Sequence, residues 1–78
     1  MKSNSQQLIY GISSKFEFGQ WHHRIVVFDD QEKADAWLQT EEYDSREREL
    51  FHSENKAIRL LGKGGKKKLA EARDYYGF

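Results

Sequence analysis

Neither cysteine nor proline occurs among these 78 residues, and methionine appears once. The lack of cysteine removes disulfides, a thiolate nucleophile and any zinc site built on sulfur ligands. A chain of this length buries only about 60–65% of the surface its unfolded form exposes. Sheet and helices must therefore supply the core, with a homodimer interface as one further source. No apolar run approaches the roughly 20 residues that span a bilayer, so a membrane partner is not expected. Met1 to Gln7 is polar and lacks the apolar stretch of a signal peptide. The expectation is a cytoplasmic protein with one α+β domain over residues 1–78, of which 1–6 are flexible. The absence of proline suits a chain with few rigid loops.

Charge and aromatic residues are plentiful. A third of the residues are charged and eleven are aromatic, counting five Phe, four Tyr and two Trp. That is not the composition of a disordered chain. The zero net charge hides a segregation. Residues 1–28 carry three basic and one acidic side chain, residues 29–54 three basic and ten acidic, and residues 55–78 seven basic and two acidic. Such sorting is the strongest sign of a charged partner.

Residues 8–28 read as a β-hairpin. Gly19-Gln20 has the Gly-X form of a type II′ turn. That turn sets Phe18 opposite Trp21, Phe16 opposite His23, Ser14 opposite Ile25, Ile12 opposite Val27 and Glu17 opposite His22. One face then collects Leu8, Tyr10, Ile12, Phe16, Phe18, Trp21, Ile25 and Val27, an almost wholly apolar set. The other reading ends the first strand near Ser13 and leaves residues 14–20 as a loop.

A helix follows, capped by Asp29 with Glu32 three residues on, and ending near Thr40. Ala34, Trp37 and Leu38 form its apolar stripe. Arg46 to Phe51 alternates and reads as a short third strand, although Arg and Glu also favour helix. Ser53 opens a segment to Leu61 that reads as a helical turn or two, with a strand as the alternative. Gly62 to Gly65 breaks the chain. Lys66 to Tyr76 reads as a final helix with Leu69, Ala72 and Tyr76 facing inward. The fold class is α+β: an N-terminal antiparallel hairpin with a possible third strand, packed with two helices.

The lysines at the start of the final helix are the first candidate site. Positive charge there opposes the helix dipole by about 0.3–1 kcal/mol per surface group, so helix stability does not account for Lys66, Lys67 and Lys68. A phosphate does: a glycine-rich approach, free amides and lysines together make an anion site. The nucleic-acid-binding set is Arg59, Lys63, Gly64, Gly65, Lys66, Lys67 and Lys68. A solvated charge run is the plainer alternative.

Over about a dozen residues, Gly62-Lys63-Gly64-Gly65-Lys66-Lys67-Lys68-Leu69-Ala70 resembles the last-strand-to-helix corner of double-stranded RNA-binding domains. The resemblance aligns Gly62, Gly64, Lys67, Lys68 and Ala70 with that corner and implies that the lysines grip phosphates across a groove. It is a local analogy. Lys66 stands where the family has serine, the family's N-terminal helix is missing, and residues 29–40 place a helix where strands belong.

A protein partner is the second expectation. The acidic residues Asp29, Asp30, Glu32, Asp35, Glu41, Glu42, Asp44, Glu47 and Glu49 can imitate a phosphate backbone. In this the chain is similar to small inhibitor proteins of phages and mobile elements. The protein-interaction set is Phe16, Phe18 and Trp21 at the hairpin tip with Asp30, Glu32 and Asp35, against the plain readings of core aromatics and a solvated helix face. For so small a domain, most aromatics are expected in the core.

No metal, cofactor or catalytic residues are expected. His22 and His23 are adjacent on a strand and point to opposite faces, and His52 is remote. Ser13 and Ser14 lack a nucleophile-elbow context, and no glycine loop has phosphate-loop spacing.

Overall fold

In the computed structural model the described residues are 7–40 and 47–78. They form β1 (Ile9–Glu17), β2 (Gln20–Phe28), α1 (Gln31–Gln39), β3 (Glu47–Phe51), α2 (Glu54–Leu61) and α3 (Gly65–Tyr75). The strands make one antiparallel sheet in the order β2-β1-β3, so the fold is α+β with the expected hairpin and a third strand. The proposed flexible segment 1–6 lies outside the described residues, as do Glu41, Glu42, Asp44 and Arg46.

The hairpin turns one residue earlier than predicted. Phe18 and Gly19 have positive φ, 57° and 81°, as both central residues of a type I′ turn do. Glycine serves the second position of that turn as well as it serves the first of type II′. The register therefore pairs Phe16 with Trp21, Lys15 with His22, Ser14 with His23, Ile12 with Ile25 and Tyr10 with Val27. Compared with the predicted register this is a slip of two. Because side chains alternate with a period of two, each residue keeps its predicted face and only its cross-strand neighbour changes.

Helices cover both faces of the sheet, but not all of either. On one face lies α1. Gly11 lets the Trp37 indole approach the backbone of β1, Ala34 is fully buried, and the Phe28 and Trp37 rings stand 5.8 Å apart. Arg48 of β3 places its guanidinium 4.7 Å from the Trp37 ring centroid and donates to the Trp37 carbonyl. A cation from another element thus serves the C-terminal end of α1, whose own last turn has none. The cap at the other end is Asp30, not Asp29. Its Oδ1 accepts from the Glu32 amide at 2.7 Å, since β2 runs on to Phe28 and leaves Asp29 in the connecting bend. Leu38, expected in the stripe, is exposed.

The other face carries the main core. Tyr10, Ile12 and Val27 of the hairpin pack with Ala57 and Leu61 of α2 and Leu69 of α3, flanked by Leu8, Ile25, Phe51, Ile58 and Ala72. Ser53 caps α2, its hydroxyl accepting from the Lys56 amide. Helices α2 and α3 form an antiparallel pair, because Glu54 at the start of one meets Arg73 near the end of the other at 3.2 Å. Arg73 also bonds the Tyr10 side chain, the chief cause that raises its pKa above the ordinary arginine value. The two helices touch closely at Gly65, where a Cβ would stand 2.8 Å from the Leu61 Cβ and 3.1 Å from the Ile58 carbonyl oxygen.

Element lengths explain what is left bare. Nine-residue strands extend about 30 Å, whereas α2 and α3 reach only about 12 and 16 Å. Among the described residues β3 pairs with Tyr10 to Ser14 alone. Beyond that span the described residues show the hairpin end, Lys15 to His22, as two paired strands. The expectation that most aromatics are core does not hold there or at the C-terminus. Phe16, Phe18 and Trp21 are 58%, 89% and 51% exposed, and Tyr75, Tyr76 and Phe78 are exposed too. Tyr76 follows the last turn of α3 instead of facing the core.

Candidate functional site

A groove of about 310 Å³ opens where the helical layer stops short of the hairpin tip, lined by Ile12, Ser14, Trp21, His23, Glu47, Arg48, Glu49 and Leu60. Even positions of β1 and odd positions of β2 share this face, and β3 adds Glu47 opposite Ser14 and Glu49 opposite Ile12. Phe16 meets Trp21 edge to face at 5.4 Å. The Trp21 and His23 rings lie nearly parallel, 3° apart in tilt with centroids 6.4 Å apart. Together the three rings make one aromatic cluster along the exposed end of the sheet.

The Ser14 hydroxyl lies 2.7 Å from the His23 Nδ1. A hydroxyl beside an imidazole is the chemistry of a nucleophile and its base. Here, however, the serine is buried in mid-strand, where it braces the ring and is not held out on a turn. His22, on the opposite face, sits 3.2 Å from the Glu17 carbonyl oxygen. Among the described residues no group of three or more ligating side chains is placed to hold a metal ion, and no helix is long and apolar enough to cross a membrane.

The basic set gathers at the corner between α2 and α3. Gly62 and Gly64 turn the chain with φ of 78° and 82°. Gly64 caps α3 in the left-handed region, no side chain caps the helix, and its first turn carries no acidic residue. Arg59, Lys63, Lys66, Lys67 and Lys68 are all exposed. Gly65 is buried at the helix contact, so its part is to bring the helices together. The segment before the corner is helix, whereas the RNA-binding-domain resemblance calls for a strand, and the analogy is confined to the lysines and glycines.

Leu60 links this corner to the groove. It lines the groove between Arg59 and the corner, and Lys63 lies three residues on, within about 11 Å of chain. Arg59, Lys63 and Lys66 to Lys68 do not themselves line the groove; the basic corner meets it through Leu60 alone. Asp30, Glu32 and Asp35 do not join them. All three belong to the start of α1, across the sheet and at the foot of the hairpin. Asp30 is occupied as a cap, and the Asp35 Oδ1 accepts from Gln31 at 2.9 Å.

Comparison with known protein families, curated proteins and solved structures finds no match. The function is then to be argued from the chemistry of the site. Sequence reading missed His23, Ser14, Glu47, Glu49 and Leu60 as groove residues. Their shared face was readable for the hairpin, but the flank supplied by β3 required knowing that β3 pairs with β1.

Proposed function

We propose that this chain is a non-enzymatic, cytoplasmic accessory protein that binds nucleic acid through the phosphate backbone. Arg59, Lys63, Lys66, Lys67 and Lys68 supply the charge, while Gly64 and Gly65 shape the corner. The observation that carries the reading is the start of α3: exposed lysines crowd a helix terminus that no side chain caps. They weaken the helix there unless an anion joins them.

The test is the salt dependence of binding. The logarithm of affinity falls with the logarithm of salt in proportion to the phosphates neutralised. Replacing Lys66, Lys67 and Lys68 by Gln together should reduce that slope by roughly 2–3. Failure of the unaltered protein to retain DNA or RNA at low salt would sink the proposal.

One observation favours a second reading, a protein-interaction or inhibitor domain of phage or mobile-element type. Phe16, Phe18 and Trp21 form an exposed aromatic end of the kind that anchors protein interfaces. A pull-down in which substitution of these residues releases one specific protein would support it. Release on charge reversal of Asp30, Glu32 and Asp35 would instead place that interface on α1.

A further inference from the structure

The tip of the hairpin is costly to build as it stands. Phe18 occupies the left-handed region, which disfavours a bulky side chain, and it leaves its ring 89% exposed. Neither turn geometry nor core packing accounts for phenylalanine at that position. Strain held at an exposed position accompanies contact surfaces. With Phe16, Trp21 and His23 it presents aromatic faces to solvent beside the groove.

We propose that the groove takes unpaired nucleotides of single-stranded nucleic acid, with bases stacked on Trp21 and Phe16 and phosphates held by the α2–α3 corner. The proposal rests on the nucleic-acid reading above and adds the form of the ligand. Flat aromatic faces accept any base, and a flanking basic surface follows the backbone. Trp21 lines the groove at one side, and Leu60, also in its lining, is flanked by Arg59 and followed within three residues by Lys63.

Glu47 and Glu49 set the orientation. They line the same groove and repel phosphate from it, while a carboxylate accepts hydrogen bonds from the exocyclic amine of cytosine. The strand therefore lies with phosphates toward Arg59 and Lys63 and bases toward the sheet. A duplex, which presents phosphates outward and hides its base faces, cannot make this arrangement. Single strands should bind better than duplex, and oligo-dC better than oligo-dT.

The experiment is a fluorescence-anisotropy titration with labelled oligo-dC, oligo-dT, oligo-rC and a duplex, each about a dozen nucleotides or pairs long. The protein carries Trp37→Phe, so that Trp21 emission can be followed in parallel. Expected results are quenching of Trp21 by single strands and duplex binding at least about tenfold weaker than oligo-dC. Trp21→Ala should weaken oligo-dC binding by about 5–100-fold at an unchanged salt slope. Phe18→Ser, which touches no core, should weaken it in the same direction and guards against a misfolded Trp21 variant. Comparison of oligo-dC with oligo-rC tells DNA from RNA. Duplex bound as tightly as single strands, or both aromatic variants binding like the unaltered protein, would overturn the groove assignment. If the triple lysine variant still flattens the salt slope in that case, the corner reading survives alone. No binding of any oligonucleotide overturns both. Quenching of Trp21 by an oligolysine peptide but by no oligonucleotide would overturn the proposal and give the groove to a cationic protein segment.

Discussion

Gly11 lies directly beneath the Trp37 indole: a Cβ built on it would stand 2.7 Å from the ring carbon Cζ3. Helix α1 sits where it does because position 11 has no side chain. Gly11→Ala must push the helix away or turn the indole out of its place between Phe28 and Arg48. The expected cost is about 1–3 kcal/mol, a fall in Tm of roughly 4–8 °C for each kcal/mol in a domain of this size. Thermal unfolding followed by circular dichroism measures it, and an unchanged Tm would show that α1 has room to spare.

Phe18→Asn should act in the opposite direction. Asparagine adopts the left-handed region readily, and Asn-Gly is the favoured type I′ pair. Phe18 gives up no core contact, so a gain of about 0.5–1 kcal/mol is expected. The same variant should bind single-stranded nucleic acid more weakly. A protein that becomes more stable while losing affinity would show that the aromatic is kept for contact, not for folding.

Arg73 and Glu54 should not be equivalent partners. Arg73→Ala strands the buried Tyr10 side chain as well as Glu54 and should cost about 1–2 kcal/mol. Glu54→Ala breaks only the partly exposed ion pair and should cost about 0–1 kcal/mol. Folding raises the arginine pKa above its ordinary value. Its contribution is therefore complete below that ordinary value and lost only as pH rises through the higher folded one. The destabilisation caused by Arg73→Ala should accordingly be the same at about pH 6 and pH 9, measured by urea unfolding.

The two tryptophans should report on opposite sides of the sheet. Trp21 is half-exposed in the groove, and Trp37 is partly buried against β1. In the Trp37→Phe variant, acrylamide should quench the remaining emission strongly. In Trp21→Phe it should quench weakly. Equal quenching in the two variants would contradict the arrangement of helices around the sheet.

Much of this fold was legible because hairpin faces follow from parity. Tyr10, Ile12, Ile25 and Val27 were grouped correctly although the turn was misplaced, since a slip of two residues leaves the faces intact. Ser53, Gly62 and Gly64 marked helix limits through their own backbone preferences. What sequence did not reveal depended on tertiary placement. Trp37 packs on the face opposite the main core because Gly11 opens it, and a glycine inside a strand names no partner. Arg48 read as part of an alternating charge run until its strand was placed beside β1. The lysine corner was legible as chemistry, and the aromatic tip as composition. That Leu60, beside the corner, lines the same groove as Trp21 was not, because it depends on which way α2 runs after β3.

The described reach of β3 divides β1 into two mechanical regimes. Its first part, held between two strands and beneath helices on both sides, should exchange its amide protons only when the whole domain opens. Its last turnward residues, flanked among the described residues by β2 alone, should exchange through local fraying at a much lower free energy. The protein thus has a stiff foot and a compliant end, and the end can reshape itself around what it meets without loosening the foot.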